Sequence, residues 1–300
     1  MLNPPYAYHV ASPESIHSPV HGSIAVYTKI PNFGSRYIGT LSGIVIERSS
    51  RKKYLLSNQH VFFPYQSKSP AVKPTGGLSV YMTGDASKPI GKTYKTKAEK
   101  NPWPKSDRQK ALDTLGPYHD SALATASVPV SNVVNQIGAQ RGMIEPKAGM
   151  RIKYYGRTSR LQKGTITKPD VNNVNANIPG DKIQVQKHVI FADIASAAGD
   201  SGSMVFNDDN RVVGVLFAET ITGGTTLICR ASAIENAYGV VFSEDELGGG
   251  GTTPKPEPTP KPTPKPTPIP GIDFSDRTTQ LLLVGGGIFV VMLIAGLSAK

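Results

Sequence analysis

The sequence predicts an all-β fold of two antiparallel β-barrels, followed by a linker and one apolar segment near the C-terminal end. Up to residue 242, apolar or alternating runs of four to eight residues are separated by Gly, Pro and Ser, which is the pattern of barrel strands. Residues 231–238 have the pattern of a short helix that closes the second barrel. After residue 247 the composition changes abruptly, so we expect the globular domain to end there.

The first predicted lobe covers residues 22–126 and follows an N-terminal extension of residues 1–21. Its strands are expected at residues 22–30, 38–47, 53–62, 78–82, 90–94 and 121–126. A polar, basic insertion at residues 98–117, with Trp103 between two prolines, precedes the last of these strands. The sequence does not indicate whether this insertion serves a site or only decorates the surface.

The second predicted lobe covers residues 149–243 and completes one domain of residues 22–247. Its strands are expected at residues 151–155, 164–167, 183–195, 204–206, 211–218 and 225–229. Two such barrels packed together leave a cleft between them, and we expect the functional site there.

A linker is predicted at residues 248–271. Four glycines open it, and proline then occupies every even position from Pro254 to Pro270. Such a sequence favours an extended polyproline helix of ~50 Å, at about 3.1 Å per residue. The linker therefore separates the globular domain from the segment that follows.

A transmembrane helix is predicted at residues 279–298. Its centre is an uncharged run of 17 residues from Leu281 to Leu297, which as a helix would be ~26 Å long. Glycines at 285–287 weaken a helix in water but are common in membrane helices. We therefore expect a lipid bilayer as partner of this segment.

The charge distribution argues against a nucleic-acid-binding protein, and the cysteine content argues against a disulfide-bonded one. The formal net charge is +11, but the basic clusters at residues 48–53, 95–100 and 105–110 lie between apolar runs. Clusters in such places are typical of solvated loops, so no specific nucleic-acid partner is expected. The single cysteine, Cys229, allows no intrachain disulfide and lies in an apolar run, as a buried thiol does. This usage is typical of a reducing compartment or of bacterial and viral proteins.

The stretch Gly-Asp-Ser-Gly-Ser at residues 199–203 is the strongest chemical signal. A serine hydroxyl is a poor nucleophile until a base takes its proton and the chain holds its oxygen exposed. Glycines on both sides of Ser201 allow a tight turn and let backbone N–H groups converge, as an oxyanion hole requires. The alternative is a polar turn between two strands.

Two candidate partners of Ser201 precede it. His60 ends an apolar run, and Asp120 stands at the start of another. The order His, Asp, Ser is one of three chain orders in which a Ser-His-Asp triad occurs. With these stretches the sequence resembles the chymotrypsin-fold, trypsin-like serine peptidases, in particular the bacterial type without disulfides.

The resemblance runs from about residue 22 to residue 242 and includes further blocks at residues 155–159, 163–166, 213–218 and 224–226. It implies two six-stranded barrels. It also implies that Ser201 is the nucleophile, His60 its base and Asp120 the orienting acid. The N–H groups of Gly199 and Ser201 would form the oxyanion hole.

The resemblance also assigns the substrate pocket. It places Ala195, six residues before the nucleophile, at the base of the pocket, and Phe217 and Glu219 on the strand that pairs with substrate. Trypsin has an acid at the Ala195 position, so a preference for Arg or Lys is not supported there. Glu219 either restores some preference for cations or faces solvent, and we expect a neutral pocket.

Asp200 is the second acid that the resemblance singles out. In trypsin-like zymogens an N-terminal amine freed by cleavage pairs with this aspartate, whereas bacterial relatives use an arginine. Arg157 stands at the matching position. We therefore expect an Arg157–Asp200 pair as structural support for the loop, with no zymogen step.

Taken with the resemblance, the sequence predicts a membrane-anchored serine endopeptidase that acts on proteins or peptides through an acyl-enzyme, without a metal or cofactor. The alternative is a catalytically silent chymotrypsin-fold protein with a binding or structural role, for example in a virion. The first residues lack a signal-peptide pattern. A single C-terminal anchor in a bacterial or viral membrane is therefore expected, with the catalytic domain on the soluble side where it is made.

Overall fold

Short strands make up most of the fold, as the alternating apolar runs predict. The computed structural model describes residues 12–13, 15–29, 38–63, 77–96, 103–104, 119–172, 174–178, 182–220, 224–248, 281–284 and 287–290. The chain divides into two units, Met1–Gly250 and Gly251–Lys300. The larger unit carries both lobes and every candidate site residue.

Eleven described strands precede the second lobe. They are β1 (Val20–Gly22), β2 (Ala25–Thr28), β3 (Ile38–Thr40), β4 (Gly43–Glu47), β5 (Lys53–Ser57), β6 (Ser79–Met82), β7 (Gly91–Thr96), β8 (Trp103–Pro104), β9 (Ala122–Ala126), β10 (Val130–Val134) and β11 (Gly138–Ala139). Helix α1 (Gln59–Phe62) follows β5. Strands β10, β1 and β11 form a small separate sheet, in which β1 runs parallel to β10.

The second lobe begins at β12. Its strands are β12 (Arg151–Gly156), β13 (Arg160–Val171), β14 (Val174–Ile178), β15 (Lys182–Gln186), β16 (Val189–Asp193), β17 (Met204–Phe206), β18 (Val212–Glu219), β19 (Thr226–Arg230) and β20 (Val240–Val241). Helix α2 (Ala231–Tyr238) lies between β19 and β20, and a 3-10 turn (Glu244–Leu247) ends the unit. The predicted closing helix is confirmed over its whole length.

A closed six-stranded barrel forms the second lobe, in the order β12-β13-β16-β19-β18-β17. This confirms the prediction for that lobe. The barrel interior is filled by buried apolar side chains, among them Ile152, Tyr154, Ile166, Val205 and Ile228. Their alternation with outward-facing residues is what the sequence pattern records.

The first lobe differs from the predicted barrel. It is an eight-stranded sheet in the order β20-β4-β5-β9-β7-β6-β2-β3, and the pairings of the described strands do not close it. At one edge, β20 from the C-terminal end of the domain pairs with β4. At the other edge, the N–H of Thr40 donates to the carbonyl oxygen of Ser201 at 2.8 Å. Segments of the second half of the chain thus occupy both edges, and the lobe is a half-barrel.

The predicted strand of residues 183–195 is in fact two strands. The chain turns between β15 and β16 at His188, which has a left-handed φ of 55°. Strand β15 pairs with β14 and with β8 in a separate three-stranded sheet. Of the 98–117 insertion, the structure describes only β8.

A further apolar cluster joins the two lobes. It contains Leu56 and Leu123 from the first lobe and Phe206 and Phe217 from the second, all buried. Burial of large side chains from both lobes fixes how the lobes face each other.

In the smaller unit, β21 (Leu281–Val284) and β22 (Gly287–Val290) pair antiparallel. They fall within the predicted transmembrane segment, whose other residues lie outside the described ones, as does the linker from residue 249 onwards. Among the described residues, no helix has the length and apolar character needed to cross a bilayer. The transmembrane helix therefore stays a prediction.

Candidate active site

His60 lies in α1, the single helical turn that follows β5. The sequence predicted a continuous strand of residues 53–62, whereas the strand ends at Ser57 and the chain then turns. The His60 Nδ1–H donates to Oδ2 of Asp120 at 2.5 Å, and the His60 backbone N–H donates to Oδ1 at 3.2 Å. Because a carboxylate only accepts, Nδ1 carries the proton and Nε2 is left as an acceptor.

Asp120 is fully buried and is fixed by polar groups from three parts of the chain. Its carbonyl oxygen accepts from Nδ2 of Asn58 at 2.7 Å, and its N–H donates to Oε1 of Gln186 at 3.2 Å. The buried thiol of Cys229 donates to the same carbonyl oxygen at 3.8 Å. Burial, and then the Asp120 carboxylate, raises the pKa of Cys229, so it remains a thiol as predicted.

His119 is next to Asp120, but it carries no positive charge that would compete with His60 for the Asp120 carboxylate. Burial, and to a smaller extent the neighbouring His188, lowers the pKa of His119 to about 4. The two rings stack at a centroid distance of 6.3 Å. His119 is therefore neutral near pH 7, and the Asp120 carboxylate is left to His60.

Ser201 is half-buried in the loop between β16 and β17. Its Oγ donates to the carbonyl oxygen of Phe217 at 3.4 Å. A bond between Ser201 and His60 is not among the hydrogen bonds of the described residues, although both line one cavity. The structure thus brings the predicted nucleophile and base into one cleft, with the hydroxyl turned toward Phe217.

The loop before Ser201 is held in a tight turn. Gly199 has a φ of +102°, a conformation that favours glycine, and its carbonyl oxygen accepts from Oγ1 of Thr40 at 2.8 Å. The N–H of Asp200 donates to the carbonyl oxygen of Ala197 at 3.0 Å. No described residue accepts a hydrogen bond from the N–H groups of Gly199 and Ser201. These two donors are available to a ligand in the cavity that both residues line.

Asp200 is fully buried, but its donors differ from the predicted one. The described residues supply four: the N–H groups of Thr158 at 2.8 Å, Ser159 at 3.0 Å and Ala197 at 3.0 Å, and the hydroxyl of Tyr154 at 3.1 Å. Backbone and phenol donors thus stabilise the carboxylate in the place where the sequence predicted a guanidinium.

The expected Arg157–Asp200 pair is not among the hydrogen bonds and ion pairs that the described residues make to Asp200. The backbone N–H of Arg157 donates to Oγ1 of Thr40 at 3.1 Å. A Cβ added at Gly199 would lie 2.9 Å from Nη1 of Arg157, so the guanidinium lies against the loop. The sequence could not distinguish a guanidinium partner of Asp200 from backbone N–H partners. The N–H groups that donate to Asp200 belong to a turn, and no particular residue type marks such donors in the sequence.

The cavity has a volume of about 270 Å³. One wall is formed by residues 216–219 of β18, and the opposite wall by residues 196–199. Ile38, Val61, His60 and Ser201 complete the lining. The predicted pocket residues Phe217 and Glu219 are therefore part of it.

Ala195 is not part of the lining, contrary to the prediction. It is exposed, and its carbonyl oxygen accepts from the Tyr154 hydroxyl at 2.7 Å. The next residue, Ser196, lines the cavity instead, and its Oγ lies 2.9 Å from Oγ1 of Thr226. The residue that lines the cavity is therefore five positions before Ser201, and the predicted one was six positions before it.

Comparison with family models identifies the family of the chain. The trypsin family model matches residues 42–236. A search of curated proteins finds no match to this chain. The structure is similar to a Cellulomonas bogoriensis chymotrypsin, with 20% identity, coverage of 74% of this chain and 96% of that one, and a TM-score of 0.47. It is also similar to Thermobifida fusca protease A, with 16% identity, coverage of 74% and 96%, and a TM-score of 0.49.

Proposed function

Because the chain belongs to the trypsin family of serine peptidases and is a serine endopeptidase, we propose that Ser201, His60 and Asp120 are its catalytic triad. The observation that carries this proposal is the 2.5 Å hydrogen bond from His60 to the buried Asp120. It lies beside a cavity that His60, Gly199 and Ser201 all line. This arrangement supplies a base, an orienting acid and a hydroxyl in one cleft.

In the proposed reaction, Ser201 Oγ attacks the carbonyl carbon of a peptide bond while Nε2 of His60 takes the hydroxyl proton. The tetrahedral intermediate expels the amine, which receives that proton from His60, and an acyl-enzyme remains. Water then attacks the ester through the same proton transfer and releases the acid and the free serine. Asp120 stays ionised and stabilises the imidazolium.

Two further steps involve the Ser201 hydroxyl and the backbone N–H groups beside it. For the reaction, the Ser201 hydroxyl leaves its 3.4 Å bond to the Phe217 carbonyl and turns toward His60 about χ1. The N–H groups of Gly199 and Ser201 then bind the oxyanion of the intermediate. In serine peptidases one such donor contributes roughly 10²–10³ in rate.

For the substrate we propose a peptide with a neutral side chain at the position that enters the cavity. The walls are largely apolar, with Ile38, Val61 and Leu216 among them, and Ser196 adds a hydroxyl. Glu219 is exposed, and its Oε1 accepts from the N–H of Gly224 at 2.7 Å. Its carboxylate is thus engaged at the rim, which supports a neutral preference over a cationic one.

We further propose that the enzyme is anchored in a bacterial or viral membrane through Leu281 to Leu297. The support is the uncharged run itself and the proline-rich linker that isolates it from the domain. Lys261, Lys265 and Arg277 precede the run, and basic residues favour the side on which a chain is made. The catalytic domain would then lie on that same side.

The test of the triad is turnover of a peptide library by the full-length chain. We expect Ser201→Ala and His60→Ala each to lower kcat by several orders of magnitude. The matched control is Ser203→Ala, which removes a buried hydroxyl from the same loop and is expected to keep turnover. Processing by the Ser201→Ala protein at the wild-type rate would exclude Ser201 as the nucleophile.

A further inference from the structure

The carboxylate of Asp200, beside the nucleophile, is satisfied without the predicted guanidinium. Oδ1 accepts from the N–H groups of Thr158 and Ser159, and Oδ2 accepts from the N–H of Ala197 and the hydroxyl of Tyr154. All four distances are 2.8–3.1 Å. Several such donors together stabilise a buried carboxylate in its charged form.

Tyr154 is the one side chain among these four donors. It is fully buried in the barrel, and its hydroxyl reaches both the Asp200 carboxylate at 3.1 Å and the carbonyl oxygen of Ala195 at 2.7 Å. Burial, and then the Asp200 charge, raises the pKa of Tyr154 well above its usual value, so the phenol keeps its proton. That single proton serves two acceptors five residues apart. Tyr154 therefore ties the start of the loop to the residue before the nucleophile.

Gly156, two residues further along β12, makes room for this arrangement. A Cβ at Gly156 would lie 2.3 Å from Oδ1 of Asp200 and 2.9 Å from Cε2 of Tyr154. Such distances are far below van der Waals contact, so a larger residue would displace the carboxylate. The end of β12 is thus shaped to hold Asp200 in one position.

We propose that Tyr154 is a positioning residue for the peptidase reaction, which acts through Asp200 to hold the oxyanion loop ready. The proposal rests on the proposed function of Ser201. Three of the donors to Asp200 come from β12 and the turn that follows it, and the fourth, the N–H of Ala197, belongs to the loop itself. Among the described residues, these donors hold the Asp200 carboxylate directly. Tyr154 touches no substrate and acts only on where the N–H groups of Gly199 and Ser201 lie.

The test is Tyr154→Phe in the full-length protein, compared with Tyr155→Phe. Both changes remove one phenolic oxygen from a buried tyrosine of the same strand, and no described residue is hydrogen-bonded to the Tyr155 hydroxyl. A displaced loop weakens the binding of the transition state more than the binding of the substrate. We expect Tyr154→Phe to lower kcat roughly 10–100-fold with KM within about threefold, since a fully lost oxyanion donor costs roughly 10²–10³. Tyr155→Phe is expected to keep both constants.

The outcomes separate this proposal from the proposed function. If wild-type turnover depends on Ser201 but Tyr154→Phe matches Tyr155→Phe in kcat, the positioning role is overturned and the triad stands. If the wild-type protein has no Ser201-dependent turnover, both are overturned. If Tyr154→Phe does not fold, Gly156→Ala is the deciding variant. A lowered kcat with little change in KM supports the positioning role, and a wild-type kcat overturns it.

Discussion

At the scale of single residues, the proposed chemistry depends on the proton that His60 holds on Nδ1. The Asp120 carboxylate accepts that proton at 2.5 Å and leaves Nε2 unprotonated. Asn58 and Gln186 fix the backbone of Asp120 from two other segments. The orientation of the base is therefore set by contacts that do not involve substrate.

Replacement of Asp120 by Asn tests this orientation. An amide of the same size donates to Nδ1, which moves the ring proton to Nε2 and prevents it from accepting from Ser201. We expect kcat for peptide hydrolysis to fall by about 10⁴. As a control, Asp208→Asn alters an exposed carboxylate paired with Arg151 and is expected to keep wild-type activity. An Asp120→Asn enzyme within roughly tenfold of wild type would contradict the assignment.

The sequence predicted some of these residues and missed others for a physical reason. His60, Asp120 and Ser201 were predicted as a triad because they stand in a known order within recognisable stretches. The contacts of Gln186 with Asp120 and of Tyr154 with Asp200 arise only when segments distant in the chain are brought together by the fold. The pairing of Asp200 with N–H groups also escaped prediction, since any residue type supplies a backbone N–H.

At the scale of elements, a helix or strand was predicted well where the pattern that indicates it lies within one segment of the chain. Helix α2 was found because its residues carry their own helical pattern, and its end at Gly239 has a left-handed φ of 69°. The break between β15 and β16 was missed because His188, and not glycine, takes the left-handed conformation there. The open first lobe was missed because its edges are occupied by segments remote in sequence.

Helix α2 also carries a buried acid that makes stability depend on pH. Burial, with a smaller contribution from Glu246 and against the effect of Arg48, raises the pKa of Glu235 to about 7. A raised pKa means that the folded protein binds this proton more tightly than the unfolded chain does. The resulting stability is present below pH ~4.5 and is lost as pH rises through about 7.

Glu235→Gln should therefore flatten this part of the stability profile. We expect its melting temperature to exceed that of wild type above pH 7, because no buried charge forms there, and the advantage to shrink toward pH 4.5. Thermal unfolding followed by circular dichroism measures both. Glu244→Gln is the control: Lys53 lowers the pKa of this exposed acid, so its small contribution has the opposite sign. An equal pH dependence in wild type and Glu235→Gln would contradict the prediction.

At the scale of the whole molecule, the chain consists of a peptidase unit and a smaller C-terminal unit. The barrel, the half-barrel and the cavity between them all belong to the first unit. Composition predicted this division, since the proline-rich linker begins where the apolar strand pattern ends. The role of the second unit is inferred from its sequence alone, and membrane anchoring remains our proposal.

Two lysines in the apolar run test the anchor. Ile288→Lys with Val291→Lys puts two charges near its centre, each costing about 2.5–3.5 kcal/mol in a membrane helix. We expect the wild-type chain to stay in the membrane pellet after carbonate extraction and the double variant to move to the supernatant. Thr278→Lys, just before the predicted helix, should leave the protein in the pellet. A wild-type chain found wholly in the supernatant would contradict the anchor.

The most direct measurement of the central claim is covalent labelling of the full-length protein with a fluorophosphonate, followed by peptide mass spectrometry. The reagent forms a bond from Ser201 Oγ to phosphorus and releases fluoride, which needs the same activated hydroxyl as peptide hydrolysis. We predict one adduct per chain on the peptide that contains Ser201, slow labelling in His60→Ala and none in Ser201→Ala. An unlabelled wild-type protein, or an adduct that persists in Ser201→Ala, would contradict the account.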